Sequence, residues 1–313
     1  MSEPSRVVVA LGGNALMIEK GGSPSVQDEA AAARAAFDQI APVLVATPHV
    51  LVTHGNGPQV GTLLMRAELS ARVAGLPRLP LDSLVADTAG GIGYLLCREL
   101  RNSLAREGSQ RPVAAVMTQV LVSRTGDDPM KPIGPSYAQD EQPSDNHEYR
   151  IQPDGRCRRV VPSPRPASIL ELDSIRLLFD NGIIAVAGGG GGVAVTRAGS
   201  GMVGTEVVVD KDLTSALLAE ALDAAVLMML TNIEAVRLDF GGPNERSIDV
   251  IGTVELEDLL HKGAFGEGSM RPKVEAATAF ARSGRGRRAV ICHLRDAQQG
   301  LAGTAGTQVL SDG

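Results

Sequence analysis

Lysine is scarce in this chain. Among 30 basic residues it stands only at Lys20, Lys131, Lys211, Lys262 and Lys273, the rest being arginine. A chain that uses arginine as its surface cation keeps lysine where a compact ammonium on a flexible stem does what a planar guanidinium cannot, and neutralising a phosphoryl group is such a task. Lys20 and Lys262 read as solvated surface residues, whereas Lys131, Lys211 and Lys273 sit in glycine- or proline-flanked stretches. Cysteine is equally sparse. Cys97, Cys157 and Cys292 are far apart, odd in number and without metal-ligand spacing, which predicts reduced thiols and excludes a disulfide framework. The five histidines form no ligand pair either. No apolar run reaches the roughly 18 residues of a membrane span, and the N-terminus lacks the basic start and hydrophobic core of a signal peptide. The expected address is the cytoplasm, with no membrane partner. The net charge of −6 and pI near 5.5 argue against a nucleic-acid partner, and Arg285, Arg287 and Arg288 form too short a basic run to change that. No histidine or carboxylate base accompanies a serine or cysteine in a hydrolase motif, and no G-x-x-x-x-G-K-[ST] P-loop occurs.

What is present is alternation. Short β-branched runs alternate with longer stretches of helical period, the pattern of βαβ units around a largely parallel sheet, so the fold class is α/β. Strands are expected at Arg6–Leu11, Val50–Thr53, Val113–Val122, Ile183–Ala187, Ala225–Thr231 and Ala289–His293. Helices are expected at Ser25–Ala46, Gln59–Ala74, Ser83–Glu107, Ala167–Asn181, Leu213–Ala221 and Pro272–Ser283, with Ser23 or Ser25 as an N-cap for the first and Pro272 in the first turn of the last. At 313 residues the chain can form one large domain, residues 1–313. Within it, residues 124–166 break the alternation. They hold eight of the eighteen prolines, too many for a helix or central strand, and predict a protruding, lid-like arm carrying Lys131. Pro153-Asp154-Gly155 predicts a turn between Tyr149–Gln152 and Cys157–Val161.

Three glycine-rich stretches follow strands. Gly12-Gly13-Asn14 follows the first, and Gly55-Asn56-Gly57 follows the second and opens a helix. At strand carboxyl ends, missing side chains let backbone N–H groups approach an oxyanion, and a helix N-terminus adds positive potential, so a small anion is the expected guest. Either stretch alone could be an ordinary turn. The third, Gly188–Gly192, formally matches G-x-G-x-x-A, but Val193–Gly204 is β-rich, which rejects a dinucleotide fingerprint and leaves close backbone approach to a phosphate or sugar. In Asp210-Lys211-Asp212 and again at Lys273, a lysine stands at the positive end of a helix. Asp212 alone could be a plain N-cap, and Glu275 could pair with a lysine. The cations nonetheless point to a compensating anion outside the protein, with Asp210 orienting Lys211.

The strings LGGNAL (Leu11–Leu16), HGNGPQVG (His54–Gly61), KPIGP (Lys131–Pro135), RRVVPSP (Arg158–Pro164), GGGG (Gly188–Gly191), DKDL (Asp210–Leu213) and GSMRPKVEAA (Gly268–Ala277) jointly resemble, in order and spacing, the motifs of carbamate kinases, a branch of the amino-acid kinase family. The resemblance implies an open αβα sandwich on a mostly parallel eight-stranded sheet, with the Lys131 arm as a small protruding subdomain that closes over the carbamate site. It further implies a homodimer and Mg²⁺ bound with ATP or ADP, used in phosphoryl exchange with carbamate and carbamoyl phosphate. The chain departs from the family pattern at Arg271, where glycine is usual, at Ala89, where glutamine is common, and at Asn232, where aspartate is more usual. By this reading Lys131, Lys211, Lys273 and Asp210 are catalytic. Gly12, Gly13, Asn14, Gly55, Asn56 and Gly57 hold the substrate, and Gly190, Thr231, Ser269 and Met270 border the nucleotide together with Lys211 and Lys273. Two other readings use much the same residues: a kinase for another small carboxylate such as acetylglutamate, and an impaired nucleotide or carbamoyl phosphate sensor.

Overall fold

The computed structural model describes residues 4–13, 25–123, 125–141, 147–152, 154–266 and 270–312. Its central sheet has eight strands. In chain order they are β1 (Arg6–Leu11), β2 (His49–His54), β3 (Val113–Ala115), β9 (Ile184–Val186), β12 (Val226–Thr231), β15 (Val250–Gly252), β16 (Arg288–His293) and β17 (Thr307–Leu310), arranged β15-β17-β16-β12-β1-β2-β9-β3. Every pairing is parallel except β16 with β17. Two smaller sheets lie beside it. One runs β11-β10-β4-β8, from β4 (Gln119–Val122), β8 (Pro166–Ile169), β10 (Val193–Ala198) and β11 (Gly201–Gly204); the other runs β5-β7-β6, from β5 (Met130–Tyr137), β6 (Tyr149–Ile151) and β7 (Cys157–Pro162). A short hairpin of β13 (Arg237–Leu238) and β14 (Arg246–Ser247) completes the strands. The helices are α1 (Val26–Ala46), α2 (Gly57–Ala74), α3 (Leu81–Arg106), α4 (Leu172–Asp180), α5 (Lys211–Ala221), α6 (Thr253–His261), α7 (Met270–Arg282) and α8 (Ala297–Ala302).

The sandwich follows from the two-residue period of the strands. In β1, Val7, Val9 and Leu11 enter one core with Phe37 and Ile40 of α1, Leu96 and Leu100 of α3, and Leu301 of α8. Val8 and Ala10 enter the opposite core with Phe179 of α4, Leu218 of α5, Leu256 of α6 and Phe280 of α7. A strand that is apolar on both faces must be covered on both, as parallel strands are. Among the described residues, no helix is long and apolar enough to cross a membrane.

The six expected strands and six expected helices are found, two of them each split into two elements, while α6, α8, β13, β14, β15 and β17 carried no expectation. Ser25, one of the two expected candidates, caps α1 in a capping box with Asp28, its Oγ accepting from the Asp28 amide at 3.2 Å; Ser23 lies outside the described residues. Val113–Val122 is two strands in different sheets. The amide of Val116 still donates to Val186 in the central sheet, but the carbonyl of Thr118 accepts from Val193, so the chain changes sheets across Met117. Ala167–Asn181 is likewise two elements. Pro166–Ile169 pairs antiparallel with β4, and the helix begins only at Leu172. In the proline-rich stretch, Gly155 turns at φ 76° between β6 and β7, as the Asp-Gly signal predicts. The KPIGP string is a strand paired with β7, bulged between Ile133 and Ser136 where Gly134 has φ 69°.

Candidate active site

Because β1, β2, β9 and β12 run parallel, the loops after them emerge along one edge. Gly12 and Gly13 follow β1, Gly55 and Asn56 follow β2, Gly188–Gly192 follow β9, and Asn232 follows β12. These loops floor a cleft of about 940 Å³ whose far wall is the β5–β7 pair, contributing Lys131, Ile133, Gly134 and Arg158. The crevice lies where an open α/β sheet binds its ligands, at the carboxyl ends of the strands. The turns need glycine. At Gly191, with φ 91°, a side chain would strike the carbonyl oxygen of Val209, and at Gly190, with φ 66°, it would strike the Asn56 amide. Asn56 is itself held by donating 2.8 Å to Thr88 Oγ1. At Gly55 an added Cβ would lie 3.3 Å from Lys211 Cδ, so its absence lets the lysine stem cross the loop.

The three lysines converge here. Lys211 Nζ donates to Asp212 Oδ1 at 2.7 Å, and Lys273 Nζ donates to the other oxygen, Oδ2, at 2.9 Å. Lys131, reaching across from the arm, pairs with Asp210 Oδ2. Asp210 Oδ1 accepts from the Asp212 amide at 2.8 Å and so N-caps α5. Lys211, Lys273, Asp210 and Asp212 are all nearly buried, while Lys131 is about one-third exposed at 33%. Burial opposes the charge on Asp212, but the two adjacent ammonium groups outweigh it and hold its pKa down at about 2. Burial, reinforced by the positive charge of Lys273, pulls Lys211 below the ordinary lysine value against the opposing pull of Asp212 and Asp210. Three ammonium groups against two carboxylates leave the cluster one positive charge in excess, before Arg158 is added. His54, at the end of β2, is driven by burial down to about 4, so it is neutral here, and its ring Nδ1 lies 3.0 Å from the Gly55 carbonyl.

Most residues singled out from the sequence meet in this cleft. Gly12, Gly13, Gly55, Asn56, Gly57, Lys131, Gly190, Asp210, Lys211, Thr231 and Lys273 all line it. Met270 does not. It opens α7 and packs against the core behind. Asn14 and Ser269 lie outside the described residues. Two acidic roles differ from the expectation. Asp212, read as a plain cap, is the carboxylate shared by two lysines, and Asp210, read as orienting Lys211, caps the helix and pairs with Lys131. Glu275 pairs with none of the described lysines; it takes Arg271 at 3.0 Å and Arg165 at 2.7 Å, which ties the unusual arginine along its own helix. The Ala89 methyl faces the glycine turn: a Cβ added at Gly189 would stand 3.2 Å from it. Arg158 carried no role of its own in the sequence, although its alternation along β7 with the buried Arg159 is a signal that it faces the cleft. Its Nη2 donates 2.9 Å to the Gly134 carbonyl, and its Nε is buried with no partner among the described residues.

Residues 5–293 match the amino acid kinase family. The chain belongs to that family. It is 39% identical to the carbamate kinase of Pyrococcus horikoshii over 98% of this chain and 99% of that one. Among solved structures, one from Aeropyrum pernix superposes with a TM-score of 0.89 at 40% identity, covering 97% of this chain and 99% of that one. Giardia lamblia carbamate kinase bound to AMP-PNP superposes with the same score at 32% identity, over the whole of both chains. In this member of the amino acid kinase family the eight-stranded, mostly parallel sheet expected from the motifs is present, with helices on both faces.

Proposed function

We propose that the protein is a carbamate kinase, exchanging a phosphoryl group between ATP and carbamate and, in reverse, between carbamoyl phosphate and ADP. The observation that carries this reading is the cluster of Lys131, Lys211 and Lys273 around Asp210 and Asp212 in a glycine-floored cleft. Support also comes from full-length relatives that bear the carbamate kinase name. Carbamate is already an anion, so its attack on a γ-phosphoryl group needs no general base. It needs two mutually repelling anions held in line and the spreading charge offset. The loops of Gly12, Gly13 and Asn14 and of Gly55, Asn56 and Gly57 would hold carbamate or carbamoyl phosphate, with the Gly12 amide itself anchored on the Leu230 carbonyl. Lys211 and Lys273 would bracket the transferring group and the β–γ bridge, and Lys131 would approach from the arm, residues 124–166, as it closes. Gly190, Thr231 and Ser269 would border the nucleotide. Asp212 holds the Lys211 and Lys273 side chains side by side, one on each carboxylate oxygen, against their mutual repulsion.

Mg²⁺ enters as part of MgATP or MgADP, where it spreads charge over the phosphate oxygens. The cleft suits a metal that arrives on its substrate, since its carboxylates Asp210 and Asp212 are already engaged by lysines. We assign the reaction to the cytoplasm because its substrates are charged metabolites. We assign a homodimer because α2 and the segment after it expose Leu69, Val73 and Leu76, with Tyr94 of α3, all at 52% or more. The decisive assay couples ATP formed from ADP, carbamoyl phosphate and Mg²⁺ to a dye-linked readout. Steady ATP production is expected. A folded protein that is stabilised by carbamoyl phosphate or nucleotide but makes no ATP would replace this reading with that of a sensor, and turnover with acetylglutamate in place of carbamate would replace it with the related carboxylate kinase.

A further inference from the structure

Consecutive residues of a strand face opposite ways, and β7 uses this at Arg158 and Arg159. Arg158 lines the cleft just described, while Arg159 lines a second cavity of about 270 Å³ on the other side of the arm. Arg159 is among the least accessible charges in the protein, its side chain only 8% exposed. Among the described residues its Nε is buried with no hydrogen-bond partner, and its nearest carboxylate, Glu68, stands 3.7 Å from Nη1, beyond hydrogen-bond reach. A buried guanidinium with an unmet donor is costly to keep unless something completes it. The remaining wall is apolar on one side, from Leu64, Ala67, Leu79, Pro80 and Leu81. Arg78, His147 and Glu206 stand at the polar side, and Glu206 already accepts from the Leu81 amide at 3.0 Å.

We propose that this cavity is a binding site for a small apolar monocarboxylate, its carboxylate on Arg159 and Arg78 and its hydrocarbon part on the leucines. The two glutamates disfavour a phosphate or a dicarboxylate, which would bring a second negative charge against Glu68 or Glu206. They leave room for an ammonium group, so a free apolar amino acid and a simple branched acid share the chemistry. The site joins the arm to helix α2 back to back with the lysine cleft, and it stands independently of the reaction assigned to that cleft.

Isothermal titration with 4-methylpentanoate and with L-leucine tests it, using 4-methylpentanamide as the uncharged control. At least one of the two carboxylates is expected to bind while the amide does not. Preference for L-leucine would identify an amino acid using Glu68, and preference for 4-methylpentanoate a plain acid. Arg159→Gln should weaken binding on the order of tenfold or more, the scale of a lost charged hydrogen bond, while Lys211→Ala, which disables the other anion site, should leave it unchanged. Should Arg159→Gln not fold, Leu79→Glu, at a half-exposed rim position, sets a repelling carboxylate in the mouth and should weaken binding by a similar factor. Absence of heat with both carboxylates, equal binding of the amide, loss in Lys211→Ala, or full affinity in either Arg159→Gln or Leu79→Glu overturns the proposal.

Discussion

Lys211 sits at the first position of a helix, where the backbone N–H groups already present positive potential, and beside a second ammonium on the same carboxylate. Such an arrangement is tolerable empty only through Asp212, and it is best satisfied by an incoming anion. Lys211→Ala should therefore lower turnover on the order of 10²–10³, by analogy with other groups that stabilise transition-state charge; steady-state kinetics check this. Asp212 supplies the pH signature. Its folded pKa, about 2, lies below the ordinary 3.8, so its contribution is present in full above pH 3.8 and is lost as the pH falls through about 2. That contribution amounts to roughly 2 kcal/mol for a shift of this size, and urea midpoints measured across that window should show a slope that Asp212→Asn flattens. The three ammonium positions were legible from the scarcity of lysine together with the glycine- and proline-flanked stretches that hold them. The division of labour between Asp210 and Asp212 was not legible, since two acids one residue apart are equivalent caps until the backbone decides which of them turns back on the helix.

At the scale of elements, the loops after β1, β2 and β9 form a binding floor because glycine lets main chain approach main chain. The Gly12 amide donates 2.9 Å to the Leu230 carbonyl, and an added Cβ there would stand 3.0 Å from that same oxygen. Gly191 is the most constrained of the three glycines from Gly190 to Gly192, being left-handed and pressed on the Val209 carbonyl just before α5. Gly191→Ala should cost about 3 kcal/mol or more, combining backbone strain with overpacking, and should displace Lys211 as well, so both the melting temperature and turnover should fall. Helix starts were well marked in the sequence by Ser25 and by the acids before Leu213. The β5 strand was not. Its prolines argue against a central strand, and only pairing with β7, with the Gly134 bulge absorbing the misfit, lets a proline-bearing segment serve as a sheet edge. The split of Val113–Val122 was hidden for a related reason: both halves are β-branched and apolar, and local pattern does not say which sheet a strand joins.

For the whole molecule, the exposed apolar residues of α2 and the following segment are the surface on which assembly can be tested. Leu69→Glu together with Val73→Glu should convert a dimer to a monomer in light scattering, without unfolding the chain, because both side chains are more than half exposed. If the wild-type protein is already monomeric, the dimer assignment fails. The sequence alone determined the α/β class, the parallel sheet, the family and the identity of the three lysines, because these rest on periodicity, on residue type and on motif spacing, all of which are local along the chain. Only the tertiary structure decided that Asp212 joins Lys211 to Lys273, that Arg158 and Arg159 face two different cavities, and that the arm's Lys131 meets Asp210. Those are contacts between segments up to 79 residues apart, formed by strand pairing and helix packing, and no local preference encodes which partner a charged side chain will meet.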